Sequence, residues 1–208
     1  VTVRVDGPAG AGKSTVAKLL AKELGLQFLD TGAMYRCLAL KCIREGISAD
    51  KGDEAAELGR SMTIEFGEGE PQRVLMDGED VTEAIRKPEI GDFASAVSVH
   101  PAVRRLIAGQ QREIVLRGGV TLEGRDTTTV TAPDAQVRVY LTAPLEERTR
   151  RRHEELIQRG LAKDFEALRA EIAERDHRDS TRADSPLHIA DGVTVLDTGG
   201  MTTDEVVY

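Results

Sequence analysis

The sequence predicts an α/β fold in which a parallel sheet is covered by helices on both faces. Three observations carry that reading. Short runs rich in Val, Leu and Ile recur along the chain and alternate with segments of helical periodicity. The runs are apolar enough to be buried on both faces, as parallel strands are. Between residues 50 and 85 the pattern breaks into an acidic, Gly-punctuated stretch that reads as an insertion.

The first strand covers Val1 to Val5 and breaks at Gly7 and Pro8. From Lys13 the period becomes helical. Val16, Leu19, Leu20 and Leu24 fall on one face, and Gly25 is the natural stop. Leu26 to Leu29 forms a short second strand, followed at Asp30 by a helix that carries Met34, Leu38, Leu40 and Ile43 and ends at Gly46. The insertion holds two β-like pieces, Met62 to Phe66 and Arg73 to Asp77, which suggest an antiparallel element. Helical pattern resumes from Pro88 to Arg117. Strands return at Val120 to Leu122 and Val137 to Leu141. A long Arg- and Glu-rich helical stretch fills residues 145 to 182, and Val193 to Leu196 is a last strand.

A chain of 208 residues is one domain by default and can bury a core without disulfide staples. The net charge of −8 and pI near 5.2 argue against nucleic acid as the main partner. Four Phe, three Tyr and no Trp leave little to stack on single-stranded bases. No apolar run is long enough to span a membrane, and no leader pattern opens the chain, so a cytoplasmic protein is expected. Cys37 and Cys42 lie five positions apart on one helix, about 140° around it, and are expected to be free thiols. The chain opens on Val1 and stops at Tyr208 as a helical pattern begins, so a few terminal residues are expected to be missing.

The decisive feature lies between the first strand and first helix. Gly7, Pro8, Ala9, Gly10, Ala11, Gly12, Lys13 and Ser14 match G-x-x-x-x-G-K-[ST], with Thr15 following. The glycines let backbone N–H groups turn inward around phosphate oxygens, at the positive end of the following helix. Lys13 supplies a charge for the β- and γ-phosphates, and the Ser14 hydroxyl a ligand for Mg²⁺. The alternative, a Gly-rich turn that merely connects two elements, leaves the Lys-Ser pair unexplained.

A phosphate loop does not name a reaction. There is no N-K-x-D element for reading guanine. Arg is instead dense late in the chain: residues 148 to 182 hold nine Arg and one Lys against eight acids. Such a segment is either a solvated helix laced with i,i+4 ion pairs or an arm that closes guanidinium groups over phosphates.

Four motifs in order carry a resemblance: Gly7 to Thr15, Asp30-Thr-Gly-Ala-Met-Tyr-Arg36, Glu123-Gly-Arg-Asp126, and Glu174-Arg-Asp-His-Arg-Asp179 with Arg182. Together they resemble the bacterial cytidylate kinases across nearly the whole chain. The resemblance implies a P-loop kinase core (about 1–30, 101–147 and 183–208), an acceptor-nucleotide lobe near 31–100 and a lid near 148–182. It implies Thr31 and Arg36 at the acceptor, with Arg36 on its phosphate. Ser95 and Arg104 match the family's cytosine-contacting pair, beside Asp126. Arg125 and Arg182 would hold the acceptor phosphate, Arg175 and Asp179 would approach the sugar, and Arg148 and Arg152 would lie against ATP. One departure stands out: Thr127-Thr-Thr129 replaces a loop in which the family often has Gly, and Thr128 would be strained wherever φ must be positive.

The residues support the same expectation without the name. A phosphate monoester has a second pKa of about 6, so the acceptor is mostly dianionic at neutral pH and needs no general base. His100, His153, His177 and His188 are scattered, and no Cys/His grouping has zinc spacing. The task is to bring two polyanions together, which abundant Arg, a loop Lys and Mg²⁺ accomplish. The expected reaction moves the γ-phosphoryl group of ATP to CMP or dCMP, in a monomer with small-molecule partners only. The alternatives are a P-loop kinase of another small acceptor, such as UMP, and a nucleotide-dependent binding switch.

Overall fold

The structure is a computed structural model that describes residues 1–125, 131–181, 187, 189 and 191–208. In chain order its elements are β1 (Thr2–Asp6), α1 (Lys13–Leu24), β2 (Gln27–Asp30), α2 (Thr31–Arg44), α3 (Gly52–Gly59), β3 (Ile64–Phe66), β4 (Val74–Met76) and β5 (Glu79–Asp80). A 3₁₀ turn (Ala84–Arg86) leads into α4 (Pro88–Val97) and α5 (Pro101–Leu116). Then come β6 (Val120–Gly124), β7 (Val137–Thr142), α6 (Leu145–Gln158), α7 (Phe165–Thr181), β8 (Thr194–Asp197) and α8 (Thr203–Val207). The chain forms two compact units, 1–28 with 117–208, and 29–116.

In the first unit the strand order is β2-β6-β1-β7-β8. β1 pairs in parallel with β6, from Thr2 opposite Val120 to Asp6 opposite Gly124, and with β7, from Val3 opposite Val137. β7 pairs in parallel with β8. Every residue of β1 is buried, so its carboxyl end delivers the phosphate loop at the middle of the sheet, where open α/β sheets bind ligands. Val3, Val5, Val16, Ala17 and Leu141 form the core on the α1 face. Leu24, expected on that face, is 54% exposed because it is the last helical residue before Gly25 turns the chain at φ +63°.

In the second unit α2 packs against α4, α3 and the 3₁₀ turn. β3, β4 and β5 form an antiparallel sheet in that order, with Ile64 opposite Met76 and Leu75 opposite Asp80. Arg44 grips Glu79 with two bonds of 2.7 and 2.8 Å, and Lys41 Nζ meets Asp77 at 2.6 Å. These exposed pairs contribute at most about 1 kcal/mol each. Burial of Leu38, Ile85, Val97, Val103 and Ile107 holds the unit together.

Three local expectations change. The acidic insertion contains α3 as well as the antiparallel sheet. The helical stretch from Pro88 divides at residues 98–100, where Pro101 opens α5, and α5 packs on α3 rather than joining the core. The arm divides at Gly160, which sits at φ +70°, and Asp164 restarts the helix by accepting from the Ala167 N–H at 2.9 Å. Cys37 and Cys42 are both buried and unbonded, and burial pushes their thiols up to about 12 and about 11. Among the described residues no helix is long and apolar enough to cross a membrane.

Candidate functional site

The phosphate loop is shaped by its glycines. A Cβ on Gly7 would lie 2.1 Å from the Leu141 carbonyl oxygen, so only glycine lets β1 pass β7 at that point. A Cβ on Gly10 would sit 2.8 Å from the Arg148 carbonyl oxygen. Gly12 caps α1 at φ +87° with no side-chain cap, which leaves the first-turn N–H groups for an anion. Lys13 is only 8% exposed, and its Nζ donates to Pro8 O at 2.8 Å. Burial first, then the neighbouring Arg125 and Arg175 charges, lower its pKa to about 8, while Glu123 and Asp179 work the other way. Ser14 and Thr15 are exposed on the first turn.

The carboxyl end of β6 lies beside this loop. Glu123 is buried there, and Arg125, just beyond Gly124, forms a 2.8 Å ion pair with Asp179 of α7. Lys13 thus stands among two guanidinium groups and two carboxylates drawn from β6 and α7. Sequence reasoning gave Glu123 no role, although an acid that closes an apolar strand beside the phosphate-loop strand was a signal.

Of the lid pair, Arg152 is half-buried and bound to Glu155 at 2.7 Å. Arg148 is buried and faces the loop's backbone. Its Nε donates to Ala143 O at 2.9 Å and its Nη1 to Ala9 O at 3.0 Å, and Nη1 also meets Asp176 Oδ2 at 2.6 Å. The expectation placed Arg148 against ATP; its donors here hold the loop that ATP would occupy. Ala9 also packs on the apolar cluster of Leu156, Leu168 and Ile172 between α6 and α7.

The second unit holds Thr31, Arg36, Ser95 and Arg104 of the residues expected at the acceptor, while Arg125, Arg175 and Asp179 belong to the first. Asp30 caps α2: its Oδ1 accepts from the Ala33 N–H at 2.9 Å and its Oδ2 binds Arg36 Nη2 at 2.7 Å. Burial alone would raise the Asp30 pKa, but Arg36 and the cap bond together hold it below the usual carboxylate range. Arg36 keeps its Nε buried and without a partner. Thr31 is buried at the start of α2. Ser95 of α4 and Arg104 of α5 both meet Ser98 in the intervening turn. Ser98 Oγ donates to Ser95 O at 2.9 Å, and Arg104 Nη1 donates to Ser98 O at 3.4 Å. The Arg104 guanidinium lies 6.0 Å from the centre of the Tyr35 ring. Asp126, Arg182 and the Thr127–Thr129 departure lie outside the described residues.

Residues 3–208 match the family model described as cytidylate kinase. The chain belongs to the cytidylate kinase family. It is 49% identical over 207 residues to the cytidylate kinase of Caldanaerobacter subterraneus subsp. tengcongensis, covering 100% of this chain and 91% of that protein. It is 47% identical over 208 residues to that of Pelotomaculum thermopropionicum, covering 99% and 92%. A solved structure of an uncharacterized protein from Eubacterium ventriosum is similar at a TM-score of 0.53 and 10% identity, covering 100% of this chain and 93% of that one, which is a likeness of fold. Among the described residues of this cytidylate kinase family member, no group of three or more His, Cys, Asp or Glu could hold a metal.

Proposed function

We infer that the protein transfers the γ-phosphoryl group of ATP to CMP or dCMP, giving ADP and CDP or dCDP. The observation that carries this reading is the cytidylate kinase match over residues 3–208, on a chain whose phosphate loop and Lys13 have the chemistry that ATP requires. Neither another acceptor nor a binding switch is favoured beside that match.

An oxygen of the acceptor phosphate attacks the γ-phosphorus, that P–O bond forms, and the bond to the β-phosphate oxygen breaks as ADP leaves. The acceptor is already dianionic at neutral pH, so no side chain must remove a proton. Catalysis is therefore positioning and charge stabilisation. The loop N–H groups and Lys13 would bind the β- and γ-phosphates. Arg36, Arg125 and Arg182 would take the acceptor phosphate. Ser95, Arg104 and Asp126 would read cytosine, Thr31 would contact the acceptor, Arg175 and Asp179 would meet the sugar, and Arg152 with Arg148 would lie near ATP. The unpaired, buried Nε of Arg36 supports its role, because a buried donor calls for an acceptor. Mg²⁺, when present, would be held by the exposed Ser14 hydroxyl, with the Glu123 carboxylate as a second hard oxygen donor. When bound with ATP it neutralises phosphate charge. A cytoplasmic monomer is the setting that goes with this reading.

The test is a coupled ADP-release assay with CMP, dCMP, UMP, AMP, GMP and no acceptor. ADP release that requires CMP or dCMP and exceeds the other acceptors is expected. Equal release without acceptor would point to a hydrolytic switch, and preference for another monophosphate would displace the cytidylate assignment.

A further inference from the structure

A loop that turns its N–H groups toward phosphates turns its carbonyls outward, and each outward carbonyl needs a donor from elsewhere. Here Arg148 of α6 and Thr198, just beyond β8, face two of these carbonyls. Arg148 Nη1 takes Ala9 O at 3.0 Å, and Thr198 Oγ1 lies 3.5 Å from Ala11 O. Thr198 is in turn held by Arg151, whose Nη1 donates to Thr198 Oγ1 at 2.9 Å and whose Nη2 donates to Thr198 O at 2.6 Å. Arg148, on α6, therefore straps the loop directly, while Arg151 on the same helix holds Thr198, whose hydroxyl lies nearer Thr142 O at 3.1 Å than Ala11 O. The direct strap is itself fixed at one point in α7. Asp176 lies four residues beyond Ile172, which is buried in the cluster that Ala9 caps, and its Oδ2 fixes Arg148 Nη1 at 2.6 Å. Its Oδ1 is buried with no partner. The Asp176 side chain is partly exposed, yet a buried oxygen without a donor is costly, so a gain elsewhere must offset it.

We propose that Asp176 is a positioning residue for ATP: by orienting Arg148 it holds the Ala9 carbonyl outward and keeps the loop open for the β- and γ-phosphates. Asp176 acts through Arg148 and Ala9. The proposal rests on the kinase reading above, and it separates the two substrates. Asp176 shares α7 with Arg175 and Asp179, but its carboxylate binds Arg148, which holds Ala9 of the phosphate loop, whereas Thr31, Arg36, Ser95 and Arg104 belong to other elements.

The experiment compares wild type with Asp176→Asn and Asp176→Glu, measuring ATP affinity by calorimetry without acceptor, the KM for ATP and for CMP, and thermal unfolding. Asp176→Asn is expected to weaken ATP binding and raise the KM for ATP by about tenfold, with the KM for CMP changed less than about twofold. Asp176→Glu keeps the charge and is expected to recover part of the loss. Unchanged ATP affinity in a folded Asp176→Asn protein overturns the proposal, as does an equal rise in both KM values. Should Asp176→Asn not fold, Asp176→Glu decides by the same ATP-to-CMP contrast. Wild-type protein that binds ATP but does not phosphorylate CMP would sink the kinase reading and leave the ATP-affinity arm of the test standing.

Discussion

Arg125 Nη1 lies 2.8 Å from Asp179 Oδ2, with the two side chains only 18% and 8% exposed, and the pair fastens the end of β6 to the last turns of α7. Both residues are expected at the acceptor nucleotide, so one ion pair joins two functions. A pair this buried is costly to break on one side, because the remaining charge is stranded.

That relationship gives the first prediction. Asp179→Ala should lower unfolding stability by about 3–5 kcal/mol, the range for one-sided removal of a buried partner. The double variant with Arg125→Ala should lose less than the sum, with a coupling of about 1 kcal/mol or more. Urea denaturation of the four proteins measures it. Additive losses would mean that the two groups do not stabilise each other.

The second prediction concerns Asp30, which caps α2 and binds Arg36 at once. Its pKa is depressed in the folded protein, so its contribution is present above the ordinary carboxylate pKa and is lost as pH falls through the folded value. Asp30→Asn keeps a capping oxygen but removes the charge. The variant should be less stable than wild type at pH 7, and the gap should narrow as pH falls toward the acid limb. Thermal unfolding at pH 7 and at successively lower pH, followed as a difference between the two proteins, checks it. A gap that stays constant with pH would show that the Asp30 charge is not what stabilises α2.

Much of this was legible in the sequence, for identifiable reasons. The phosphate loop is local: its glycines, Lys13 and Ser14 occupy consecutive positions between a strand and a helix, so a reader needs no tertiary contacts to find it. β1, β6, β7 and β8 announce themselves through β-branched runs, although only β1 and β6 are buried almost throughout, while β8 at the sheet edge is largely exposed. α3 did not, because Gly52 to Gly59 is one short, acidic segment flanked by glycines, and only packing on α5 fixes it as a helix. The roles of Arg148 and Asp176 were illegible for a different reason. They sit 28 positions apart, and Arg148 meets Ala9 from 139 positions away, so periodicity on their own helices could show a shared face but no partner.

The third prediction contrasts two glycines of the loop. Gly7 has φ +147° and faces the Leu141 carbonyl oxygen at 2.1 Å from where a Cβ would stand. Gly12 has φ +87° and open space around that position. Gly12→Ala should therefore meet only the backbone penalty of the left-handed region, about 1–2 kcal/mol. Gly7→Ala should add a clash with the backbone of β7 and lose more than about 3 kcal/mol, or fail to fold. Comparable stabilities for the two variants, measured by denaturant unfolding, would mean that β1 and β7 can part at Gly7 without cost.

The last prediction follows from the charge state of Lys13. Its folded pKa of about 8 lies below its ordinary value of 10.5, with burial the largest cause. Between those two pH values the unfolded chain holds a proton that the folded chain has released, so this residue makes stability rise as pH climbs from 8 toward 10. Wild type should gain stability over that interval relative to Lys13→Met, which cannot titrate. Nucleotide phosphates act in the opposite sense on the pKa, since negative charge beside the amine favours the ammonium form. ATP binding at pH 8.5 should therefore take up a proton, at a pH where the nucleotide phosphates are already ionised. Calorimetry in two buffers of different ionisation heat reads that proton directly: the observed heat should depend on buffer for wild type and much less for Lys13→Met. The same pair of proteins should differ little in proton uptake at pH 6.5, where Lys13 is already charged before ATP arrives. A wild-type heat at pH 8.5 that is independent of buffer would mean either that Lys13 keeps its proton in the free protein or that ATP does not reach it.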